Sequence, residues 1–347
     1  MTHVLIAGDH FISPDLFSES MCDQLPGVDL QFTSLTLPWP EVPFGTVANV
    51  HEASGTEDEM IAATGDSELA VTQLAPFTRR VFEASPSLRW IGVSRGGPVN
   101  VDLDAATTAG VRVSFAPGRN AQAAAEYALG LILGVTRRIE VADREMRKGV
   151  WRGDFYSFQN AGTEIFGTTV GLVGYGAIGR IVAKVLRVMG AHVIVYDPFV
   201  SRESATADGI ELVELDALLS TSSIVSLHAR LTPESRHMLN AEKLALMPHG
   251  AFLVNMARGD LLDYKPIPGM LADGRLGGVA LDVYDAEPPA PGWPLLTYDD
   301  VIATPHLAGA TRQTAHRAAL IVAQEAARFL SGMPLNHLAN PEVEALQ

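Results

Sequence analysis

The stretch GLVGYGAIGRIVAKVLRVMGAHVIVYDP, residues Gly171 to Pro198, contains the most specific structural motif of the sequence. Its apolar start predicts a buried strand, and the pattern from Ala177 to Met189 predicts an amphipathic helix. The turn between them contains Gly174, Gly176 and Gly179. A strand, a Gly-x-Gly-x-x-Gly turn and a helix in this order bind the pyrophosphate of a dinucleotide at the helix N-terminus. The sequence therefore predicts a dinucleotide-binding domain of the Rossmann type.

The three glycines of this turn have different expected roles. Gly174 allows the tight turn, Gly176 lets the pyrophosphate approach the backbone, and Gly179 lets the helix pack on the strand. Asp197 ends the next predicted strand, where a carboxylate accepts hydrogen bonds from the adenosine ribose. Because a carboxylate at this place repels the extra phosphate of NADP, NAD is the predicted cofactor.

Length, composition and charge exclude several classes of protein. The chain has 347 residues, 47% of them hydrophobic, so we expect two domains with buried cores. Its formal net charge of −15 disfavours nucleic acid and an anionic membrane surface as partners. Cys22 is the single cysteine, no secretory signal pattern opens the chain, and no ligand spacing predicts a metal site. We therefore expect a cytoplasmic protein without a metal or a membrane partner.

Apolar runs alternate with amphipathic stretches along the chain. Such alternation is typical of parallel sheets with helical crossovers, so the predicted fold class is α/β. The segment from Asn120 to Arg147 is predicted as one long helix that connects the two domains. The predicted strands lie in HVLIAG, LAVTQL, LRWIGVS, VGLVGYG, HVIVYD, SSIVSLH, AFLVNMAR, GGVALDVY and VIATPH.

Three segments that follow predicted strands carry an arginine, a carboxylate and a histidine. They are VNMARGD, ALDVYDAEPP and ATPHLAGAT, which contain Arg258, Glu287 and His306. Because α/β folds bind ligands at the carboxyl ends of their strands, we expect these side chains to converge. An arginine binds a substrate carboxylate, and a histidine whose pKa is raised by a glutamate exchanges a proton with the adjacent oxygen. This chemistry suits a 2-hydroxy acid and its 2-oxo acid.

Together these motifs resemble those of the D-isomer-specific 2-hydroxyacid dehydrogenase family. The resemblance begins in LRWIGVSRGGPVNVD, ends in FLSGMPLNHLANPEV, and covers most of the chain. It implies an NAD-binding Rossmann domain of residues 120–309, inserted into a discontinuous flavodoxin-like substrate domain of residues 1–119 and 310–347. It also implies that the catalytic residues are Arg258, Glu287 and His306.

The resemblance further implies which residues contact the cofactor and the substrate. The backbone N–H groups of Ala177 and Ile178 are expected at the pyrophosphate, and Asp282 near the nicotinamide amide. Three more residues are expected to line the cofactor, namely His228, Met256 and Ala257. The substrate carboxylate is expected at a loop that differs from the usual family version and contains Arg95, Gly96 and Gly97. The binding of a minimal 2-oxo acid does not require a contact from Arg95. We therefore expect Arg95 to contact a distal group of a larger substrate, such as a sugar acid or a phosphorylated acid.

Two alternatives remain open from the sequence. D-3-phosphoglycerate dehydrogenase activity fits the same motifs. NAD(H)-sensing corepressors share the fold and keep the three side chains, so a binding protein is the alternative of another class. Arg230 stands where relatives commonly have proline, which makes the preference for NAD over NADP less strict. A homodimer formed through the nucleotide-binding domain is also expected.

Overall fold

The computed structural model describes residues 1–39 and 44–346 of the chain. These residues form two compact units. Unit 1 combines Met1–Asn120 with Ala310–Gln347, and unit 2 is the continuous segment Ala121–Gly309. Each unit is built on a parallel sheet covered by helices, so the predicted α/β fold class is confirmed.

The strands of the described residues are β1 (Thr2–Gly8), β2 (Leu30–Thr36), β3 (Gly45–Val47), β4 (Val50–Ala53), β5 (Leu69–Thr72), β6 (Trp90–Val93), β7 (Arg112–Phe115), β8 (Thr169–Val173), β9 (His192–Tyr196), β10 (Glu211–Leu212), β11 (Ile224–Leu227), β12 (Ala251–Asn255), β13 (Leu276–Leu281) and β14 (Val301–Ala303). The α-helices are α1 (Pro14–Gln24), α2 (Glu57–Thr64), α3 (Arg79–Ala84), α4 (Leu103–Thr108), α5 (Ala121–Arg137), α6 (Ile139–Arg147), α7 (Ala177–Val188), α8 (Arg202–Ala207), α9 (Leu215–Thr221), α10 (Ala241–Leu244), α11 (Ile267–Ala272) and α12 (Arg312–Leu330).

The sheet of unit 1 has the strand order β2-β1-β5-β6-β7, and all of its pairings are parallel. Strands β3 and β4 form a separate antiparallel hairpin. The order reverses at β1, so the ends of β1 and β5 flank a topological switch point, where flavodoxin-like sheets bind ligands. Helix α12 covers the sheet with buried alanines that pack in the same core as Trp90.

The sheet of unit 2 has the order β10-β9-β8-β11-β12-β13-β14, and all of its pairings are parallel. Its first strand lies inside the sheet with later strands on both sides, which is the dinucleotide-binding order. Every residue of β12 is buried, as expected for a strand covered by helices on both faces. The predicted Rossmann domain is therefore confirmed, with its switch point between β8 and β11.

The prediction of one long connecting helix is wrong. Helix α5 ends at Arg137 and α6 begins at Ile139, because Arg138 between them has a φ of 55° and lies in the left-handed region. A left-handed residue cannot continue a right-handed helix. All nine predicted apolar runs contain a strand, whereas the other five strands of the described residues, β2, β3, β4, β7 and β10, were not predicted. Strand β2 lies at a sheet edge and is largely exposed, so its sequence lacks the apolar run of a central strand.

None of the helices that the structure describes is long and apolar enough to cross a membrane.

Candidate functional site

A hydrogen bond joins the predicted acid–base residues of unit 2. Nδ1 of His306 lies 2.8 Å from Oε2 of Glu287. Glu287 follows β13 and His306 follows β14, and these strands are paired in parallel, so their carboxyl-terminal loops are neighbours. The imidazole is half exposed, and Nε2 has no hydrogen-bond partner among the described residues. This nitrogen is therefore available to a ligand.

The pair raises the proton affinity of the histidine. The hydrogen bond to Glu287 raises the pKa of His306, and burial of the ring opposes the rise only in part. Burial of Glu287 raises the pKa of its carboxyl group. The hydrogen bond from His306 and the positive charge of that ring lower it more strongly, so the pKa of Glu287 lies below the usual value of a glutamate. Both shifts favour an imidazolium paired with a carboxylate. Such a histidine is suited to donate a proton.

The buried carboxylate of Asp282 positions the loop that carries His306. Oδ1 of Asp282 accepts hydrogen bonds from the Thr304 hydroxyl at 2.7 Å and from the Leu307 N–H at 2.8 Å. Oδ2 accepts from the Ala308 N–H at 2.8 Å. These bonds fix both sides of His306, whose φ of 54° is strained for a residue other than glycine. Asp282 was predicted only as a cofactor contact, and this positioning role was missed.

The guanidinium of Arg258 is exposed on a turn that a buried amide fixes. Asn255, the last residue of β12, donates from Nδ2 to the Arg258 carbonyl at 2.9 Å. Its Oδ1 accepts from the Ala257 N–H at 3.1 Å. The Arg258 side chain donates to the Ala257 carbonyl at 2.7 Å and forms no ion pair with any described residue. The arginine thus keeps most of its donors for an anionic ligand.

Close packing brings the arginine turn against the glutamate loop. A Cβ on Gly259 would lie 1.8 Å from the Tyr284 carbonyl oxygen, so only glycine fits there. The N–H of Tyr284 donates to Oε1 of Glu287 at 3.1 Å. The charge of Arg258 contributes to the pKa shifts of both Glu287 and His306. The structure therefore brings together the three side chains that the sequence singled out.

The glycine turn after β8 has space for a ligand at the start of α7. Gly174 has a φ of 102°, and a Cβ there would lie 2.6 Å from the Ala229 nitrogen. A Cβ on Gly179 would lie 2.3 Å from the Gly174 carbonyl oxygen, so this glycine packs the helix on the turn and not on the strand. At Gly176 no atom lies within 4 Å of the Cβ position. No side chain caps the helix, so the N–H groups of its first turn, which include Ala177 and Ile178, are open to an anion.

Asp197 connects the glycine turn to the end of β9. Its Oδ2 accepts from the Tyr175 N–H at 2.7 Å, and its Oδ1 accepts from the Phe199 N–H at 2.9 Å. A carboxylate has about four acceptor sites, so the two backbone bonds leave capacity for ribose hydroxyls. The backbone contacts were not predicted, and they fix the carboxylate beside the turn.

His228 lies at the switch point, directly after β11. Its Nε2 is 3.0 Å from the Ser226 hydroxyl, while its Nδ1 is buried and has no partner among the described residues. Burial lowers the pKa of His228 to about 4, so the ring is neutral near pH 7. A buried ring nitrogen without a partner beside the glycine turn fits a polar ligand such as a dinucleotide. The side chain of Met256 is buried in the core, so this residue offers only its backbone.

The predicted substrate loop lies in unit 1. Arg95 forms an ion pair with the Glu52 carboxylate, and its Nη1 donates to the Glu52 carbonyl at 3.1 Å. Gly96 and Gly97 have no atom within 4 Å of their Cβ positions, so their backbone is open. The ion pair between Arg95 and Glu52 was not predicted. Glu52 lies in the hairpin strand β4, and no apolar run in the sequence indicates that strand. Arg95 is therefore less available to a substrate than its sequence context indicated.

The fold and the site together define a class of protein. The sheet of unit 2 has the dinucleotide-binding order, its glycine turn is open, and a histidine paired with a carboxylate lies beside an unpaired arginine. Within the described part of the chain, no group of three or more His, Cys, Asp or Glu side chains is placed to hold a metal ion. These features are typical of nicotinamide-dependent dehydrogenases.

Comparison with known proteins identifies the family. Residues 129–308 match the D-isomer specific 2-hydroxyacid dehydrogenase NAD-binding domain. The chain is 36% identical over 297 residues to a D-3-phosphoglycerate dehydrogenase of Methanocaldococcus jannaschii, covering 85% of this chain and 56% of the relative. It is 35% identical over 293 residues to a glyoxylate reductase of Korarchaeum cryptofilum, covering 84% and 88%. The chain thus spans about half the length of the phosphoglycerate dehydrogenases that it matches.

A solved structure from Thermus thermophilus has the same fold. It superposes with a TM-score of 0.79 at 28% identity and covers 97% of this chain and 100% of its own. The chain belongs to the D-isomer specific 2-hydroxyacid dehydrogenase family. The predicted family is confirmed, and so is NAD as the cofactor of the nucleotide-binding domain.

The charge of Glu287 should control the titration of His306. We expect His306 to titrate above the ordinary histidine pKa of about 6.5, and Glu287→Gln to lower its pKa, because an amide offers no negative charge to the imidazolium. NMR titration of ring-labelled histidine measures this directly. Glu211→Gln is the matched control, since Glu211 lies 3.5 Å from His192 in an exposed pair of the same unit. An unchanged His306 titration in Glu287→Gln would contradict the assigned coupling.

Proposed function

We propose that the chain interconverts a D-2-hydroxy acid and its 2-oxo acid with NAD as the cofactor. The observation that carries this proposal is the 2.8 Å hydrogen bond between His306 and Glu287, which leaves Nε2 of the ring open. The unpaired guanidinium of Arg258 lies close enough to affect the pKa of both residues. A proton donor beside a carboxylate-binding cation matches the two functional groups of a 2-oxo acid.

Each of the three side chains has one task in the proposed reaction. The planar guanidinium of Arg258 binds the substrate carboxylate with two hydrogen bonds and sets its orientation. In reduction His306 donates a proton from Nε2 to the carbonyl oxygen, and in oxidation the neutral ring accepts the hydroxyl proton. Glu287 stabilises the imidazolium and holds the ring in one orientation. Bound NADH supplies the hydride that the carbonyl carbon accepts.

We assign the cofactor contacts to unit 2. The open backbone of the glycine turn and the first N–H groups of α7 would hold the pyrophosphate, and Asp197 would accept from the ribose. The buried Nδ1 of His228 and the backbone of residues 256–257 would contact the rest of the dinucleotide. For Asp282 a positioning role through His306 has direct support, because its oxygens accept three hydrogen bonds from the loop.

We assign the substrate domain to unit 1. The open backbone of Gly96 and Gly97 supports the proposed contact between this loop and the substrate carboxylate. Phosphoglycerate dehydrogenation is a second candidate, favoured by the relative from Methanocaldococcus jannaschii. Steady-state reduction of a panel of 2-oxo acids with NADH tests both activities. A protein that binds NADH and reduces none of them would instead be an NAD(H)-sensing binding protein.

Removing the acid or the carboxylate contact should abolish most turnover without loss of cofactor binding. We expect His306→Ala to lower kcat by about 10²–10⁴-fold, the usual contribution of a positioned proton donor. Arg258→Ala should lower kcat/KM by a similar factor, because the substrate loses its orientation. Fluorescence titration with NADH is the control for cofactor binding in both variants. Near-normal rates in either variant would refute the assigned mechanism.

The carboxylate of Asp197 should select the cofactor. We expect a higher kcat/KM with NADH than with NADPH, because the 2′-phosphate of NADPH would meet a like charge. Asp197→Ser should narrow this difference in kcat/KM. Asp208→Ser is the matched control in the same unit, where the carboxylate contacts Tyr175 and Arg180. Equal efficiency of the native protein with both cofactors would show that a cation such as Arg230 outweighs Asp197.

We also propose that the partner of unit 2 is a second copy of the chain. Four large aromatic side chains between α6 and β8 are strongly exposed to solvent. Their exposed fractions are 80% for Trp151, 95% for Tyr156, 93% for Phe158 and 76% for Phe166. A contiguous segment of exposed aromatic residues is typical of a protein interface. Closed dimers are the commonest assembly of soluble proteins.

Sedimentation velocity tests the dimer. We expect the native protein to sediment as a dimer and the double variant Tyr156→Ser, Phe158→Ser to sediment as a monomer, because the interface loses its aromatic surface. Met333→Ser in unit 1 is the control, since Met333 is also exposed but lies outside this segment. A native monomer at micromolar concentration would contradict the proposed assembly.

We further propose a cytoplasmic location. Cys22 is exposed and forms no disulfide bond within the described residues. An exposed free thiol is typical of proteins in a reducing compartment.

A further inference from the structure

Two buried tyrosines of unit 2 lie in the loops that carry the proposed catalytic side chains. Tyr264 follows the Arg258 turn, and Tyr284 comes between β13 and Glu287. Their exposed fractions are only 6% and 8%. Strands β12, β13 and β14 are neighbours in the sheet, so the loops at their carboxyl ends lie side by side. A side chain in one of these loops can therefore reach the next.

Tyr264 connects the arginine turn to the glutamate loop. Its hydroxyl donates to the Val283 carbonyl at 2.9 Å. The same hydroxyl oxygen lies 3.4 Å from Nδ2 of Asn255, the amide that also donates to the Arg258 carbonyl. Tyr264 thus contacts both the side chain that fixes the arginine turn and the backbone that leads to Glu287.

Tyr284 connects the glutamate loop to the histidine loop. Its N–H donates to Oε1 of Glu287 at 3.1 Å, and its hydroxyl donates to the Thr304 carbonyl at 2.8 Å. The same carbonyl accepts the N–H of His306 at 3.0 Å. Tyr284 therefore contacts the carboxylate through its backbone and the turn of the histidine through its side chain.

One tryptophan packs against both tyrosine rings. The ring centroid of Trp293 lies 5.6 Å from that of Tyr264 and 5.4 Å from that of Tyr284, with interplanar angles of 62° and 82°. Edge-to-face pairs of this kind are favourable for aromatic rings. Phenylalanine would form the same ring contacts, so the two hydroxyls are the parts of these side chains that packing does not require.

Both hydroxyls remain donors across the pH range in which a histidine titrates. Burial raises the pKa of Tyr284 to about 12, and the negative charges of Asp282 and Glu287 add to the rise. Burial also raises the pKa of Tyr264 and of Tyr127, the residue of α5 that faces Tyr284. The tyrosines can therefore hold their loops whether the histidine ring is charged or neutral.

We propose that the two tyrosine hydroxyls position the catalytic side chains relative to one another. Tyr264 acts on Arg258 and so on the binding of the substrate carboxylate. Tyr284 acts on the hydrogen bond between His306 and Glu287 and so on proton transfer. Neither hydroxyl touches the substrate. This inference rests on the proposed function, because it assigns positioning residues to the same site.

Removal of each hydroxyl tests the two roles separately by steady-state reduction of the preferred 2-oxo acid with NADH. We expect Tyr284→Phe to lower kcat by roughly two- to tenfold, the effect of one lost hydrogen bond, with little change in KM. Tyr264→Phe should raise KM by a similar factor with little change in kcat. Tyr298→Phe is the matched control, because its hydroxyl also donates to a backbone carbonyl, that of Pro268 at 3.0 Å, before β14 and away from the site.

The Tm of each variant separates positioning from stability. We expect all three variants to lose a similar amount of stability, because each loses one hydrogen bond to a backbone carbonyl. Only Tyr264→Phe and Tyr284→Phe should change the kinetics. The same kinetic change in Tyr298→Phe would make the two tyrosines structural residues and overturn the inference.

NMR titration of His306 tests the role of Tyr284 without turnover. Tyr284→Phe should lower the pKa of His306 towards about 6.5, because the ring is held less closely to Glu287. Tyr298→Phe should leave the titration unchanged. Asp282 and Arg258 also affect the pKa of this ring, and both are retained in these variants.

A double variant shows whether Tyr284 acts through the pair. In the Glu287→Gln background, Tyr284→Phe should not lower the pKa of His306 further, because the coupling that the hydroxyl positions is already lost. Independent, additive shifts of the two substitutions would show that Tyr284 does not act through Glu287.

The titration also separates this inference from the proposed reaction. If no 2-oxo acid is reduced but Tyr284→Phe lowers the pKa of His306, the proposed function fails and the positioning role stands. If 2-oxo acids are reduced but the titration of His306 in Tyr284→Phe equals that of the native protein, the function stands and the inference fails.

Discussion

The buried carboxylate of Asp282 holds the loop on which the proposed chemistry depends. It accepts two backbone N–H groups and one hydroxyl from residues 304–308, and these bonds stabilise a left-handed backbone at His306. Hydrogen bonds to a charged acceptor contribute about 1.5–3 kcal/mol each, enough to offset a strained φ that costs on the order of 1–3 kcal/mol. The imidazole is thereby presented to Glu287 on one side and to a ligand on the other.

The same arrangement recurs at the end of β12. A buried polar residue at or just after the end of a strand uses its side chain to fix the following turn, and an exposed residue of that turn is left for the ligand. Asn255 does this for Arg258. Asp197 is only partly buried, and it instead holds the glycine turn of the neighbouring strand β8 through the Tyr175 N–H. Because the buried groups are occupied by backbone atoms, the exposed groups keep their positions without contacts of their own. This division explains how Arg258 remains unpaired and still well placed.

Much of this site could be predicted from the sequence, because its functional residues sit in motifs whose spacing is tied to the ends of buried strands. The apolar runs located nine strands, and the glycine turn located the Rossmann domain. Contacts between distant segments could not be predicted. The ion pair of Arg95 with Glu52 joins a strand end to a hairpin, and the break at Arg138 depends on a single backbone angle. Neither the ion pair nor the helix break produces a periodic pattern in the sequence. The pattern of polar and apolar residues indicates which side chains are buried, but it does not indicate which residues contact each other.

The two sheets of the chain differ in how their switch points are occupied. In unit 2 the groups at the switch point are an open glycine turn and one ring nitrogen without a partner, which suit the long polar dinucleotide. In unit 1 the carboxylate of Asp9 and the amide of Gln73 flank the switch point, while the hydroxyl of Ser94 and the guanidinium of Arg119 follow the next two strands, and each has a buried atom without a partner among the described residues. A buried polar atom without a partner costs about 1–3 kcal/mol, and replacement by an apolar side chain of similar shape would remove that cost. In solution these atoms therefore need a partner other than the protein, such as an ordered water or a ligand.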